Sequence, residues 1–202
     1  MMLMKSSKYA LALAVATVAI TPAPADARWK LVKVERVEAG KGALIVTPQT
    51  EWNRRNRRPS KNGEIWTKDG FGLNQLHLIG RVGDGETLFK DRKKKTRPMP
   101  KVQSDMLITD LAELFEASFS IEYDVTQFDV TSLEPSTLGG EDAILMRYEY
   151  ALPNDALVRV GEARLAWNNG EVYLINFSAP ELHYFGASIE EVRAIMDSAS
   201  LN

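Results

Sequence analysis

Cationic side chains crowd into two short stretches of this 202-residue chain. EWNRRNRRPSKNGE, residues 51–64, carries Arg54, Arg55, Arg57, Arg58 and Lys61; KDRKKKTRPMPK, residues 90–101, carries Arg92, Lys93, Lys94, Lys95 and Arg97 between Lys90 and Lys101. A guanidinium offers a planar fork of donors that fits a carboxylate or a phosphate, and an ammonium offers a compact charge beside it. Those ten residues form the candidate binding set. From 28 to 101 the chain has 19 Lys+Arg against 8 Asp+Glu, and from 102 to 202 it has 4 against 18, so a net charge of −2 conceals two oppositely charged halves. Such asymmetry bears on partners and solubility rather than on fold. Three uses fit it: loops that are solvated or folded over the acidic half, adsorption to an anionic envelope surface, or docking to an acidic protein partner. Each well-placed basic residue near an anionic surface contributes about 1 kcal/mol, enough for a handful to give weak, reversible attachment. Neither stretch has the apolar face of an amphipathic anchor, so adsorption is expected and insertion is not.

Groups for catalysis are sparser. The two histidines are His77, in NQLHLIG, and His183, in APELHYFG. Glu181 lies two residues before His183, which makes an exported hydrolase built on this pair and an unidentified nucleophile the alternative reading. No H-E-x-x-H or H-x-H spacing occurs, and no G-x-S-x-G elbow, so no metal and no cofactor is called for. The chain has no cysteine, which excludes disulfides, thiol catalysis and thiolate metal sites. Asp84 and Glu86 in VGDGETL lack the D-x-D-x-D-G series of a calcium loop and read as a turn. Glu190 and Glu191 read as first-turn helix residues that favour the helix dipole. Asn176-Phe177-Ser178 matches a glycosylation sequon but sits inside an apolar strand.

The chain opens MMLMKSSKYALALAVATVAITPAPADA, with Lys5 and Lys8 before a twelve-residue apolar run from Tyr9 to Ile20, then Pro22, Pro24 and the small-x-small Ala25-Asp26-Ala27. This is the pattern of a secretory signal peptide over 1–27, too short to span a bilayer comfortably, with cleavage expected after Ala27. Without a twin arginine the general export route is expected. The absence of cysteine leans toward a bacterial periplasm or cell envelope as the destination. Export removes nucleic acid as a partner, and no transmembrane segment is expected in the mature chain, whose residues 28–202 read as a single α+β domain.

The elements follow from periodicity. Leu31 to Val37 and Ala43 to Thr47 read as strands joined through Gly40-Lys41-Gly42, and the basic stretch 54–61, with Pro59 and Asn62-Gly63, reads as loop. EIWT and LNQLHLIGRV make a hairpin across Asp69-Gly70, which places His77 on the more polar face of its strand. The second basic run, closed by Pro98 and Pro100, reads as a long loop. Ser104 is expected to cap a helix that runs to about Ser118, with Leu107, Leu111, Leu114, Phe115 and Ser118 on its apolar face. Four antiparallel strands follow, QFDVTSLEP, AILMRYEYAL, ALVRVGEARLAW and EVYLINFSA, with Asn169-Gly170 as the strongest hairpin signal. Ser188 and Glu191 read as the capping box of a final helix, whose stripe is Ile189, Val192, Ile195, Met196 and Ala199. Strand runs separated by single helices imply α+β, an antiparallel sheet covered by a mid-chain and a C-terminal helix.

The back half, GEARLAWNNGEVYLINFSAP followed by SIEEVRAIMDSAS, resembles the PsbP-like α-β-α sandwich, in which a long hairpin rises to an xFSAP-type strand end and leads into a short terminal helix. The likeness covers Ala143 to Ser200 in pattern, and the front half only loosely. It implies a binding or assembly role, the fold being shared by a photosystem subunit, a nuclear import factor that binds a small GTPase, and bacterial envelope proteins. No site residue carries over from it. The whole chain is also similar to exported proteobacterial proteins, which adds no chemistry.

Overall fold

A computed structural model describes residues 29–92 and 94–202. The expected signal peptide, its cleavage site and Lys93 lie outside the described residues. Four strands joined in sequence make the C-terminal half of a large antiparallel sheet: β7 (Gln127–Leu138), β8 (Glu141–Ala151), β9 (Arg159–Asn168) and β10 (Glu171–Pro180). Asn169 and Gly170 turn β9 into β10 with φ of 52° and 80°, the left-handed pair that a two-residue hairpin needs. On the far side of β10 the sheet continues through β6 (Gln75–Val82), β5 (Gly63–Thr67), β4 (Trp52–Arg55) and β1 (Trp29–Val32), giving the order β1-β4-β5-β6-β10-β9-β8-β7. A small sheet of β2 (Val37–Ala39), β3 (Leu44–Val46) and β11 (Ser200–Leu201) packs beside it.

Helix α1 (Asp110–Tyr123) and helix α2 (Gly186–Asp197) cover opposite faces of the large sheet. β10 shows why both faces need covering. Val172 and Leu174 join the cluster under α1 with Phe115 and Phe119, while Ile175, Phe177 and Ala179 join the cluster under α2 with Ile189, Val192 and Ile195. A strand apolar on both sides is stable only in the middle of a sandwich. Gly161 in β9 serves the same packing: a Cβ there would lie 2.2 Å from Cζ of the buried Tyr148.

Several local expectations are corrected. The first strand is two, because a tight turn (Glu35 N–H to Lys33 O, 2.9 Å) bends the chain between β1 and β2. Arg54 and Arg55 belong to β4 rather than to a loop. Trp52 is fully buried, and the Arg54 charge is compensated by Glu64 on β5 at 3.2 Å. The β5–β6 hairpin is present, but of Asp69-Gly70 only Gly70 takes a positive φ, and the Asn74 side chain organises the turn by accepting from Thr67 Oγ1 (2.6 Å) and Lys68 N–H (2.9 Å). α1 begins at Asp110, not after Ser104: Asp110 Oδ2 accepts from Leu107 N–H at 2.8 Å in the preceding turn, and Leu107 is exposed. It runs on to Tyr123 because Phe119 extends the apolar stripe, and Asp124 ends it at φ 53°. The capping box does not form. Ser188 lies buried inside α2, and Glu191 bonds Thr50, Trp52 and Lys68 instead.

Candidate functional site

The two basic stretches meet. Leu88 and Phe89 are buried in the α1-side core, as are Met99 and Val102, so residues 89–99 are pinned at both ends. Lys90 N–H donates to Pro59 O at 2.8 Å and joins the start of the second stretch to the turn of the first. Around this junction lie cavities that share walls. The largest, about 620 Å3, is lined by Lys61, Arg81, Lys90, Arg92, Lys94 and Lys101, with Glu86 and Asp91 as its acidic members. A second, about 200 Å3, is lined by Arg55, Arg57, Arg58, Arg92, Glu122 and Tyr123 over Pro59, Ile65 and Phe71. A third, about 90 Å3, lies among Lys30, Arg54, Arg55, Asn56, Arg58 and Glu64. Arg92 separates the first from the second, and Arg55 with Arg58 separates the second from the third.

The ten candidate residues divide by partner. Arg54 pairs with Glu64 (3.2 Å), Lys61 with Glu86 (2.9 Å), Arg92 with Glu122 (2.7 Å) and Arg97 with Asp124 (3.2 Å). Arg97 also donates to Ser120 O at 3.2 Å and so steadies the C-terminal turn of α1. Arg55 lies 4.3 Å over the Phe71 ring, a contact that fixes its plane without using its edge donors. Arg57, Arg58, Lys94 and Lys95 have no carboxylate partner among the described residues. Arg58 Nη1 is buried with no hydrogen-bond partner among the described residues, as are Ser60 Oγ and Asp91 Oδ1 of residues lining the largest cavity. Burial pushes the Glu122 carboxyl up, against the opposing pull of Arg92, Arg57 and Lys90. The hydrogen bond to Lys61 holds Glu86 below the usual carboxylate range.

Behind the second cavity lies a buried polar relay. Tyr123 OH meets His77 Nε2 at 2.6 Å, His77 Nδ1 meets Asn176 Nδ2 at 3.2 Å, and Tyr148 OH donates to Asn176 Oδ1 at 2.7 Å. His77 is fully buried among Phe89, Phe119 and Tyr123, so it is a structural histidine, and burial pushes it down to about 3. Asn176 is consumed by this relay and buried, so the sequon is closed to modification in the fold.

Glu181 and His183 lie elsewhere, in the kinked segment between β10 and α2. Both are exposed, and among the described residues no hydroxyl or carboxylate bonds to His183, which touches the Tyr184 ring at 5.2 Å. His183 takes φ 72° and ψ −59°, a strained backbone for a residue other than glycine. The described residues hold no cluster of three or more His, Asp or Glu arranged for a metal. The neighbours that sequence reasoning missed are Phe71, Arg81, Glu122 and Tyr123. Only Phe71, an aromatic beside the Asp69-Gly70 turn, carried a local signal.

Cyanobacterial PsbP (CyanoP) from Synechocystis sp. PCC 6803 shares this fold at a TM-score of 0.54 and 12% identity, over 85% of this chain and 92% of that one. A structure from Bacteroides thetaiotaomicron VPI-5482 matches at 0.51 and 6% identity, over 85% of this chain and 49% of that one. The Saccharomyces cerevisiae Ran-binding protein Mog1p matches at 0.45 and 13% identity, over 86% and 95%. No protein-family model and no curated protein matches the sequence. The architecture is the PsbP-like α-β-α sandwich that the back half resembles.

Proposed function

We propose that this PsbP-like sandwich is an exported, non-catalytic binding module whose basic face engages an anionic surface or an acidic partner. One observation carries the reading: two cationic stretches distant in sequence converge on shared cavities where guanidinium and ammonium groups outnumber carboxylates. Like charges held close with too few counter-charges cost stability, so the surplus is not a device for folding. Arg54, Lys61, Arg92 and Arg97 position the segments through internal pairs. Arg55, Arg57, Arg58, Lys94 and Lys95 make the contact. Lys93, outside the described residues, belongs to the same stretch. No helix among the described residues is long and apolar enough to cross a membrane, so contact with a lipid surface would be by adsorption.

The test replaces Arg57, Arg58, Lys94 and Lys95 together by Gln. Sedimentation with phosphatidylglycerol vesicles and pull-down from envelope extract should both be compared at low and high salt. Wild-type binding should fade as salt shortens the Debye length below its physiological value of about 8 Å. The variant should bind several-fold more weakly with its melting temperature nearly unchanged, since exposed charges contribute under ~1 kcal/mol each to folding. Vesicle binding without capture of a protein identifies a lipid surface, and the converse an acidic partner. Binding by the variant that equals wild type, or that ignores salt, would overturn the reading.

A further inference from the structure

Within the basic face, and resting on that reading, we infer that the second cavity is a built site for one phosphate monoester group, not merely part of a diffuse positive patch. At about 200 Å3 it is smaller than pockets for drug-sized ligands, which run from about 300 Å3, and suits a single head group. Its walls hold Arg55, Arg57, Arg58 and Arg92 against the one carboxylate of Glu122, a surplus of three positive charges that can take a dianion. One of these forks is preset: Arg55 is stacked on Phe71, which fixes its plane, while Arg92 gives part of its fork to Glu122, the competing acceptor. Arg58 lines this cavity and carries a buried Nη1 donor with no acceptor among the described residues. Leaving such a donor unpaired costs more than a hydrogen bond returns, so an oxyanion that draws the Arg58 fork into the cavity would relieve that cost. A phosphate monoester brings about two negative charges near neutral pH and three terminal oxygens, more acceptor capacity than a carboxylate. Forked donors recognise those oxygens in pairs, whereas a lysine ammonium would not.

The source of the group is either a small phosphate ester or the head group of a monoester lipid, and calorimetry with glycerol phosphate beside vesicle binding separates them. Wild-type protein should bind glycerol phosphate saturably in low-salt buffer. Arg58→Lys, which keeps the charge and loses the fork, should weaken that binding about tenfold, the loss of one charge-assisted pair. Glu122→Gln, which removes the competing carboxylate and releases Arg92, should tighten glycerol phosphate binding several-fold, a gain that misfolding cannot produce. Stronger adsorption to phosphatidic acid than to phosphatidylglycerol vesicles at equal surface charge, lost in Arg58→Lys, assigns the group to a lipid; its absence alongside glycerol phosphate binding assigns it to a soluble ester. Equal glycerol phosphate affinity in wild type and Arg58→Lys, or no saturable binding at millimolar concentration, overturns the site. Salt-sensitive vesicle binding would then still support the broader reading, and loss of both would end it as well.

Discussion

Two glutamates in this molecule gather arginines, with opposite results. Glu162, on β9, is buried to 1% and takes donors from Arg147 on β8 (3.2 Å) and Arg193 on α2 (2.7 Å). Each of those arginines spends its remaining fork on another acid, Glu134 or Glu190, at 2.7 Å. Glu122, at the end of α1, is 10% exposed and among the described residues accepts from Arg92 alone, while Arg55, Arg57 and Arg58 stand around the same cavity with no carboxylate paired to them there. Where every fork is answered within the chain, the cluster fastens two strands to a helix. Where forks are left over, the cluster has donors to spare for the contact proposed above. Residue type is the same in both places, and only the count of answered donors tells them apart.

The largest effect should come from Glu162→Ala, which removes a buried carboxylate and the three charge-assisted bonds it accepts from Arg147 and Arg193, and should cost about 3–5 kcal/mol in urea unfolding. Glu122→Gln should change stability by less than ~1 kcal/mol, since burial already disfavours its charged form. Equal losses at the two sites would break the comparison.

A middle-sized effect concerns acid. His77, beneath the arginine cavity, titrates near 6.5 unfolded and at about 3 in the fold because burial penalises its charge. Its contribution is therefore fully present above roughly pH 6.5 and is lost as pH falls toward 3, where the unfolded chain binds the proton and the fold does not. Between pH 7 and 4 this loss amounts to about 3 kcal/mol. His77→Gln will be less stable at pH 7 but should lose less between pH 7 and 4, by about that amount. Parallel curves for the two proteins would mean that the histidine ionises freely in the fold.

The smallest effect sharpens the division within the basic face itself. Arg97→Ala removes the Asp124 pair and the Ser120 carbonyl contact at the end of α1 and should lower stability by up to ~1 kcal/mol. Lys95→Ala, without such a partner, should stay within ~0.5 kcal/mol in the same denaturant series. The reverse order would mean that the partner assignments do not govern these charges.

Legibility followed sequence distance. The four-strand meander and its Asn169-Gly170 turn could be read because each hairpin is specified by neighbouring residues. The boundaries of α1 are not specified locally: Asp110 has an interior place in the 104–118 periodicity, yet its carboxylate accepts from Leu107 N–H ahead of the helix, and the stripe runs past Ser118 to Phe119. Ser188 and Glu191 had the spacing of a capping box, yet Thr50, Trp52 and Lys68, more than a hundred residues away, claim that carboxylate. The basic face shows both sides of this. Its charges were plain in the chain, but which of them Glu64, Glu86, Glu122 and Asp124 would answer depended on strand order and on the bond from Lys90 to Pro59.

That reach across the chain also sets a timetable. Thr47 N–H bonds Ser198 Oγ across 151 positions and Thr50 bonds Glu191 across 141, whereas β7 to β10 are linked by short turns. Closing long loops costs entropy before any contact repays it, so local hairpins form earlier. On that ground the meander is expected to form early, with the local β5–β6 hairpin joining it through the β6–β10 pairing. The cationic face, which needs β4 and the 90–101 stretch brought together, is then expected to be completed late. Pulse-labelled amide exchange should protect Gln127–Pro180 before Trp52–Thr67; simultaneous protection would show that the sheet closes in one step.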